Sequence, residues 1–586
     1  MRRWLAVCAA FVFLIPSAQA QPASPDWNTC KSDDAPAKSA IAACTRLINS
    51  KKFKGAELAN IHLMRALTYV INKDDDRALP DFDQSIRLNP RVASAYRLRG
   101  GLYWRRDDRE RASADLGRAI QLDPKDRLAY LWRGLILQEE DEDEDAIKDF
   151  TRAIELDPDI MDAYRSRAIS YQANDEPKKA IGDYTELLKR DPKNTQWLTS
   201  RAGLYSEIDD HDRALADYDA AIKIAPRDAS LFYNRGTELL NMEEYDRALA
   251  DFDQAIKLDP KLAVAHSNRG TALQKKGDLD GAIAAYGDAM RANPKDDAYP
   301  LKRGSLWQDR GDLDRAIADY SEAIRISPTF ENYMVRAAGY DQKGDYDRAI
   351  ADANEMIKLT PKDTMPYGFR AEMRLKKNPK DFDTAIADLD EAVRANPSEA
   401  DGYFHRAAFH RRKGDYDRAI SDYDEAIRID PEHANAFNNR ALNWKLKGNF
   451  ERAIADYTSA MKINPKESAY VLHRGEAHME SGDADRAIAD FTEAIRIRPG
   501  AARYHFERSR ALQKKGDNIA ALRDADEAVA LNPKSPTALV HRASVMRALK
   551  RPNDAITDYR KALSLDPDEK ERKDIEKDLL ELGATP

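Results

Sequence analysis

The residues able to carry catalysis or bind a metal are ten histidines, three cysteines and a run of seven acids from Glu139 to Asp145. His405/His410 and His473/His478 stand five apart, which puts the two members of each pair on different faces of a helix and makes no metal pair. Asp141, Asp143 and Asp145 alternate as in a calcium loop. Such a loop needs Gly at its sixth place and Glu at its twelfth, where this chain has Ala146 and Arg152. The run therefore reads as a solvated turn whose charge favours the N-terminus of the following helix. There is no phosphate-cradling glycine loop and no nucleophile elbow. No catalytic residue, no metal and no cofactor is assigned.

Stepping outward to the elements, one period organises the chain. Prolines recur from Pro90 at 34-residue steps through Pro124, Pro158, Pro192, Pro226, Pro260 and Pro294 to Pro328. The series resumes at Pro361 and Pro397 and runs through Pro431, Pro465, Pro499 and Pro533 to Pro567. Twelve residues before each of these prolines is an alanine, from Ala78 to Ala555. Twelve further back is a Gly, Ala or Ser, with two extra residues in the unit ending at Pro397. A fixed period of this length marks a stacked array. Apolar residues spaced three and four apart predict two amphipathic helices per unit, such as Ala263–Lys276 and Leu279–Ala292. Gly277 supplies a left-handed stop between them and Asp278 an N-cap. An aromatic four residues after the alanine, as at Phe82, Phe150, Tyr218, Tyr286, Tyr423 and Phe491, fills the space beside the two small residues. The proline ends the second helix.

An arginine precedes the small residue in all fifteen units, from Arg65 to Arg542, and an Asp stands three residues after the alanine in fourteen, including Asp81, Asp115, Asp319 and Asp558. The arginines alone would make a ladder for an anionic polymer. With the matching Asp row they read as repeated ion pairs that hold each hairpin in register.

Small residue, alanine, aromatic, alanine and proline at these spacings resemble the tetratricopeptide repeat. The resemblance spans Ala59 to Glu569 and implies an all-α, right-handed α-solenoid of about fifteen 34-residue helix-turn-helix repeats. In that family the first helices line a concave groove. The expected organisation is a signal peptide at 1–20, a disulfide-braced degenerate hairpin at 21–58, repeats one to eight at 59–328, irregular repeats nine and ten at 329–397, repeats eleven to fifteen at 398–567, and a capping helix at 568–586. A residue missing after Pro328 and two added around Lys377-Asn378-Pro379 predict a kink or change of pitch near 329–380. Ala353 and Ala525 replace the aromatic and predict looser packing.

The groove is read from the residues three before, two before, one after and four after the small position. This face gives Leu63, Leu67, Val70, Leu131 and Leu135 near the N-terminus, Tyr233, Asn234 and Asn268 in the middle, and Phe404, Asn438, Asn439 and Phe506 beyond. Aromatic anchors with interleaved amides suit an extended peptide, whose backbone the amides can bond. Two readings stand: these residues bind protein or peptide segments, or the apolar ones only complete the packing between repeats. The Lys/Asn carboxylate clamp of chaperone adaptors has no matching set here.

Arg2 and Arg3, the apolar run Trp4–Ile15 and Ala18-Gln19-Ala20 predict an export signal cleaved after Ala20, hence a periplasmic or secreted chain with no integral membrane segment. Export leaves Cys30 and Cys44 as a pair in a compartment where disulfides persist. Lys and Arg number 94 against 102 Asp and Glu, a net charge of −8, which argues against a nucleic-acid partner. The expectation is a non-catalytic interaction scaffold of the bacterial envelope. The family resemblance adds cell-envelope polysaccharide machinery as a partner class. The alternatives are a carbohydrate- or polymer-binding module, with Trp104 and Trp132 as stacking surfaces, and a regulatory subunit of an envelope glycosyltransferase or export machine.

Overall fold

The computed structural model describes residues 24–32 and 34–585. The export signal expected at 1–20 lies outside them. The described residues form 33 helices and no strand, and none of these helices is long and apolar enough to cross a membrane. The chain divides into two compact units at Asn293/Pro294.

The first unit opens with the expected short hairpin, Pro25–Lys31 and Ala37–Asn49, joined by the Cys30–Cys44 disulfide, whose Cα atoms are 5.0 Å apart. Cys44 is fully buried, and Ile61 of the next helix packs on this pair. Seven two-helix repeats follow, from Gly55–Ile71 with Asp75–Leu88 to Ala263–Lys275 with Leu279–Ala292. The second unit holds eight repeats, from Ala298–Asp309 with Leu313–Ile326 to Pro536–Ala548 with Pro552–Ser564. A last helix, Glu569–Glu581, buries Ile575 and Leu579 against the final repeat.

Each repeat packs by the same rule. The alanine of the second helix is fully buried in every one, so two backbones approach closely. Where the small residue is glycine, the side chain four after the alanine lies against the space a Cβ would need, Leu116 at Gly100 and an aromatic ring elsewhere: a Cβ on Gly270 would sit 2.9 Å from the Tyr286 ring. The turn between the helices passes through one left-handed residue in fourteen repeats. Lys73, Asp107, Asp141, Asp175, Asp209 and Glu243 take it in the first unit, and mostly glycines take it in the second. The acidic run is such a turn, with Asp141 as its left-handed residue and Asp143–Asp145 in the first turn of the next helix. The tenth repeat uses its two added residues instead and turns at Asn378 with an extended φ of −136°.

The Arg and Asp rows meet. In thirteen repeats the guanidinium grips the Asp sixteen residues on through Nε and Nη2, at 2.6–3.0 Å. These carboxylates are only 3–8% exposed. Nη1 reaches back to the second helix of the preceding hairpin: Arg99 to Asp83 at 2.6 Å, Arg167 to Thr151 at 3.0 Å, Arg440 to Asp424 at 2.6 Å. Burial opposes ionisation of Asp81, but Arg65 and His62 outweigh it and hold the carboxyl below its usual range. At Asp183 and Asp352 burial wins, and the carboxyl is raised despite its arginine.

Ala353 and Ala525 are both buried. In the fourteenth repeat the space that an aromatic would take beside Ser509 receives His541 of the next repeat. Its Nε2 is 2.8 Å from Ser509 Oγ, and that hydroxyl donates to the Ala521 carbonyl at 2.6 Å. Ser509 Oγ therefore accepts from an Nε2–H, and this Ser–His pair is packing, not an activated nucleophile. Burial first, then Arg510, push the His541 imidazole down to about 4.

Three outcomes follow from this packing. Asp456→Ala, which removes the in-repeat partner of Arg440 and leaves it only Asp424 of the preceding hairpin, is expected to cost about 2 kcal/mol, read as lost amide-exchange protection in hairpin 434–463; unchanged protection would refute the pairing. Reducing Cys30–Cys44 is expected to cost about 3 kcal/mol for a closed loop of this size, with lost protection confined to residues 24–50. His541 has a folded pKa below its unfolded value, so its neutral state is matched at pH 7 and protons favour the unfolded chain as pH falls from 6.5 towards 4. Hairpin 536–564 is expected to lose about 2–3 kcal/mol of opening free energy between pH 7 and 4.5, and His541→Asn should abolish most of that dependence.

Candidate functional site

First helices of successive repeats touch one another in repeats two to four and five to seven of the first unit and eleven to fifteen of the second. Their shared face is the surface from which the expected binding residues were read. Side chains of neighbouring repeats bond across it. In the first unit Gln138 Nε2 donates to Ser170 Oγ at 2.7 Å and Asn268 Nδ2 to Thr237 Oγ1 at 3.2 Å. In the second, Gln308 donates to Gln342 at 2.9 Å and Tyr470 Oη to Asn435 Oδ1 at 2.7 Å.

The predicted residues fall into three groups. Val70 and Leu131 are buried, at 6% and 5% exposure, and Leu63, Leu67 and Leu135 are half-buried, with Leu63 and Leu135 packed on the cores beneath. Tyr233, Asn234 and Asn268 are half-buried, with the Tyr233 ring 6.3 Å from that of Phe252. In the second unit Phe404 stacks on His433 at 4.8 Å, Asn438 Nδ2 donates to Asn439 Oδ1 at 3.1 Å, and His473 Nδ1 lies 2.9 Å from Asn438 Oδ1. Phe506 meets His541 edge-on at 5.1 Å. Burial depresses His473 below its usual value.

Sequence reading missed the most exposed apolar side chains of the same helices. Ile71, Met161, Ile169 and Val264 in the first unit, and Met334, Met365 and Leu446 in the second, are 38–54% exposed. Ile169 and Met334 sit on the face as defined from the sequence. Ile71 and Leu446 lie five after the small residue, Val264 and Met365 six before it and Met161 seven before it, so exposed apolar side chains of the first helices are not confined to those four positions. Among the polar groups, Lys445 Nζ lies 3.2 Å from both Glu476 and Glu480, and Arg503 2.6 Å from Glu476. Glu507, paired with Arg510 at 2.9 Å, is raised by burial.

Other chemistry is absorbed by structure. His62 bonds the ladder carboxylate Asp81 at 2.7 Å, and His410 and His478 lie 3.8 Å from Asp422 and Asp490. Trp132 is 5% exposed, and Trp104 Nε1 donates to Glu139 at 3.0 Å. Among the described residues no three His, Cys, Asp or Glu side chains are grouped to hold a metal. An open cleft of about 470 Å³ at the N-terminal ends of the first helices of repeats eleven to thirteen is lined by Glu399, Asp401, Asp430 and Glu432 and by no Lys or Arg, so it favours cationic groups.

Comparison with curated proteins finds no match. Among solved structures, Naa15/Naa10 bound to HypK-THB matches at 14% identity over 96% of this chain and 96% of that one, with a TM-score of 0.39. Yeast Tom70 matches at 18% identity over 78% of this chain and 96% of that one, with a TM-score of 0.36. A tetratricopeptide repeat protein from Parabacteroides merdae matches at 19% identity over 43% of this chain and 98% of that one, with a TM-score of 0.34. Family models described as tetratricopeptide repeat match residues 100–159, 165–229, 229–262, 267–331, 380–434, 447–502 and 506–570. These matches cover more than half of the chain and coincide with its two-helix units, and the chain belongs to the tetratricopeptide repeat family.

Proposed function

We propose that this protein is a non-catalytic scaffold of the bacterial cell envelope that binds extended segments of partner proteins along the faces of its first helices. Family membership supports an interaction role. The observation behind this reading is the distribution of exposed apolar residues: among the described residues, seven of the twelve large hydrophobics that stand out to solvent lie on first helices, four in the first unit and three in the second. Isolated exposed apolar residues need no explanation, but their recurrence on one helix of the repeat matches a surface that a partner covers. The amides beside them, Asn268, Asn438 and Asn439, suit bonding to an extended backbone.

Export supports the envelope setting through the N-terminal signal and the Cys30–Cys44 disulfide. The polymer-binding alternative has lost its two main supports, since the arginine row is occupied by aspartates and Trp132 is buried. Cell-envelope polysaccharide machinery then enters as a protein partner whose exposed segments the groove receives.

A photoreactive residue placed at Ile169 or at Leu446 is expected to trap discrete protein adducts in the source cell. The same residue at Arg496, exposed on a second helix, should trap none. Equal labelling at all three positions would reject binding through the first helices.

A further inference from the structure

At the level of the tyrosine hydroxyls, the first-helix face of the second unit follows a rule that one repeat breaks. In several repeats a tyrosine of the second helix rises beside the residue four after the small position. In two of them that residue is a glutamine that accepts the phenol: Tyr320 Oη donates to Gln308 Oε1 at 2.7 Å, and in the first unit Tyr286 Oη to Gln274 Oε1 at 3.3 Å. In the eleventh, twelfth and fifteenth repeats that residue is Arg411, Lys445 or Arg547, none of which accepts a hydrogen bond. Among the described residues, the buried hydroxyls of Tyr423, Tyr457 and Tyr559 make no well-aligned hydrogen bond.

Two of these cations are satisfied by carboxylates of the next helix in the array. Lys445 meets Glu476 and Glu480 at 3.2 Å, 31 and 35 residues on. Arg547 meets Asp578 at 2.6 Å and Glu581 at 3.0 Å from the terminal helix. The positions 31 and 35 residues after Arg411 are Leu442 and Leu446. Arg411 makes no ion pair among the described residues, its Nε is buried without an acceptor, and Leu446 is 50% exposed. The hydroxyl of Tyr423, itself fully buried, lies beside Arg411 and Asn439. Donors thus converge on a place where the twelfth and fifteenth repeats put a carboxylate and this one puts none.

We propose that Arg411, with Tyr423 and Asn439 beside it, forms a subsite for a carboxylate carried on a partner's protein segment, and that an aliphatic residue next to that carboxylate packs on Leu446. The inference rests on the groove reading above and deepens it by naming the partner's chemistry. The carboxylate comes from an acidic side chain or from a chain terminus, both of which supply the same two oxygens.

The test selects randomised dodecapeptides on the immobilised full chain, in one library with free C-termini and one with the C-terminus fused to the display carrier. Enrichment of Asp or Glu beside Leu, Ile, Val or Met in both libraries would identify a side-chain carboxylate. Enrichment confined to free C-termini would identify the terminal one. A synthetic winner is expected to bind about tenfold more weakly when its acid is changed to the amide, and Arg411→Gln should bind both forms alike. Leu446→Glu leaves the arginine in place but supplies the carboxylate that Glu480 gives to Lys445, so it should also abolish the preference for acid. Both variants should melt as the parent does, since neither position belongs to the hairpin ion pairs. Winners without an acid, or an acid preference that survives Arg411→Gln or Leu446→Glu, would overturn the subsite and leave the groove reading standing. No enrichment over the bare support would overturn the groove reading and the subsite with it.

Discussion

A planar guanidinium shared between two hairpins is the constraint on which the stacking depends. Nε and Nη2 close on an Asp within the same repeat, and Nη1 extends to the second helix of the repeat before, as in Arg235 with Asp251 and Asp219. Only arginine presents donors in that fixed fork; a lysine could serve one direction but not both. Buried aspartates at 3–8% exposure are costly to ionise unless paired, so a slipped hairpin would strand a charge at every step. The buried alanines let helices approach, which many packings would satisfy. The arginine fork accepts far fewer, and it sets register where apolar contact alone would not.

The lapses show how much the array tolerates. The seventh repeat has Ala285 in place of the Asp, and Arg269 turns to Asp253 of the preceding hairpin at 2.6 Å. In the tenth, the two added residues lengthen the spacing from sixteen to eighteen. There Arg370 reaches Asp388 at 2.9 Å while Arg374, one turn on, takes the other oxygen at 2.6 Å. In the fourteenth, a missing aromatic at Ala525 is offset by an imidazole from the next repeat. In each case the defect is local, because each repeat contacts little beyond its neighbours.

Much of this was legible in the residues. The 34-residue period located the repeats, and the helix ends read from Gly277 and Asp278 came within one residue of those observed. The Arg and Asp rows were interpretable because the same spacing recurred in thirteen of fifteen repeats, and the disulfide was expected from two cysteines and the export signal read at the N-terminus. The binding face was less legible because its exposure depends on the adjoining repeat. Val70 and Leu131 share the helical phase of residues that stay half-exposed, yet a neighbour covers them. Leu446 lies outside that phase and stands 50% exposed. The position of the buried phenols could not be read at all, since the approach of Tyr423 to Arg411 joins two helices through side chains whose reach the period does not encode.

A surface built by repetition carries little information about a partner, since each step offers what the last one did. Discrimination has to come from departures from the repeat. Here the repeated charges are consumed internally: ladder arginines by aspartates, ladder histidines by the same aspartates, Lys445 and Arg547 by the next helix along. On the proposed reading, what remains for recognition in the second unit is the irregular remainder, namely apolar residues at unequal intervals, amides at Asn438 and Asn439, an acidic cleft at one end of the first helices, and Arg411 nearer the other. A segment that matches these in order would be bound at several weak points at once, whereas a segment matching only the periodic background would find every strong group already occupied. Specificity in this chain therefore rests on where the consensus fails, and stability on where it holds.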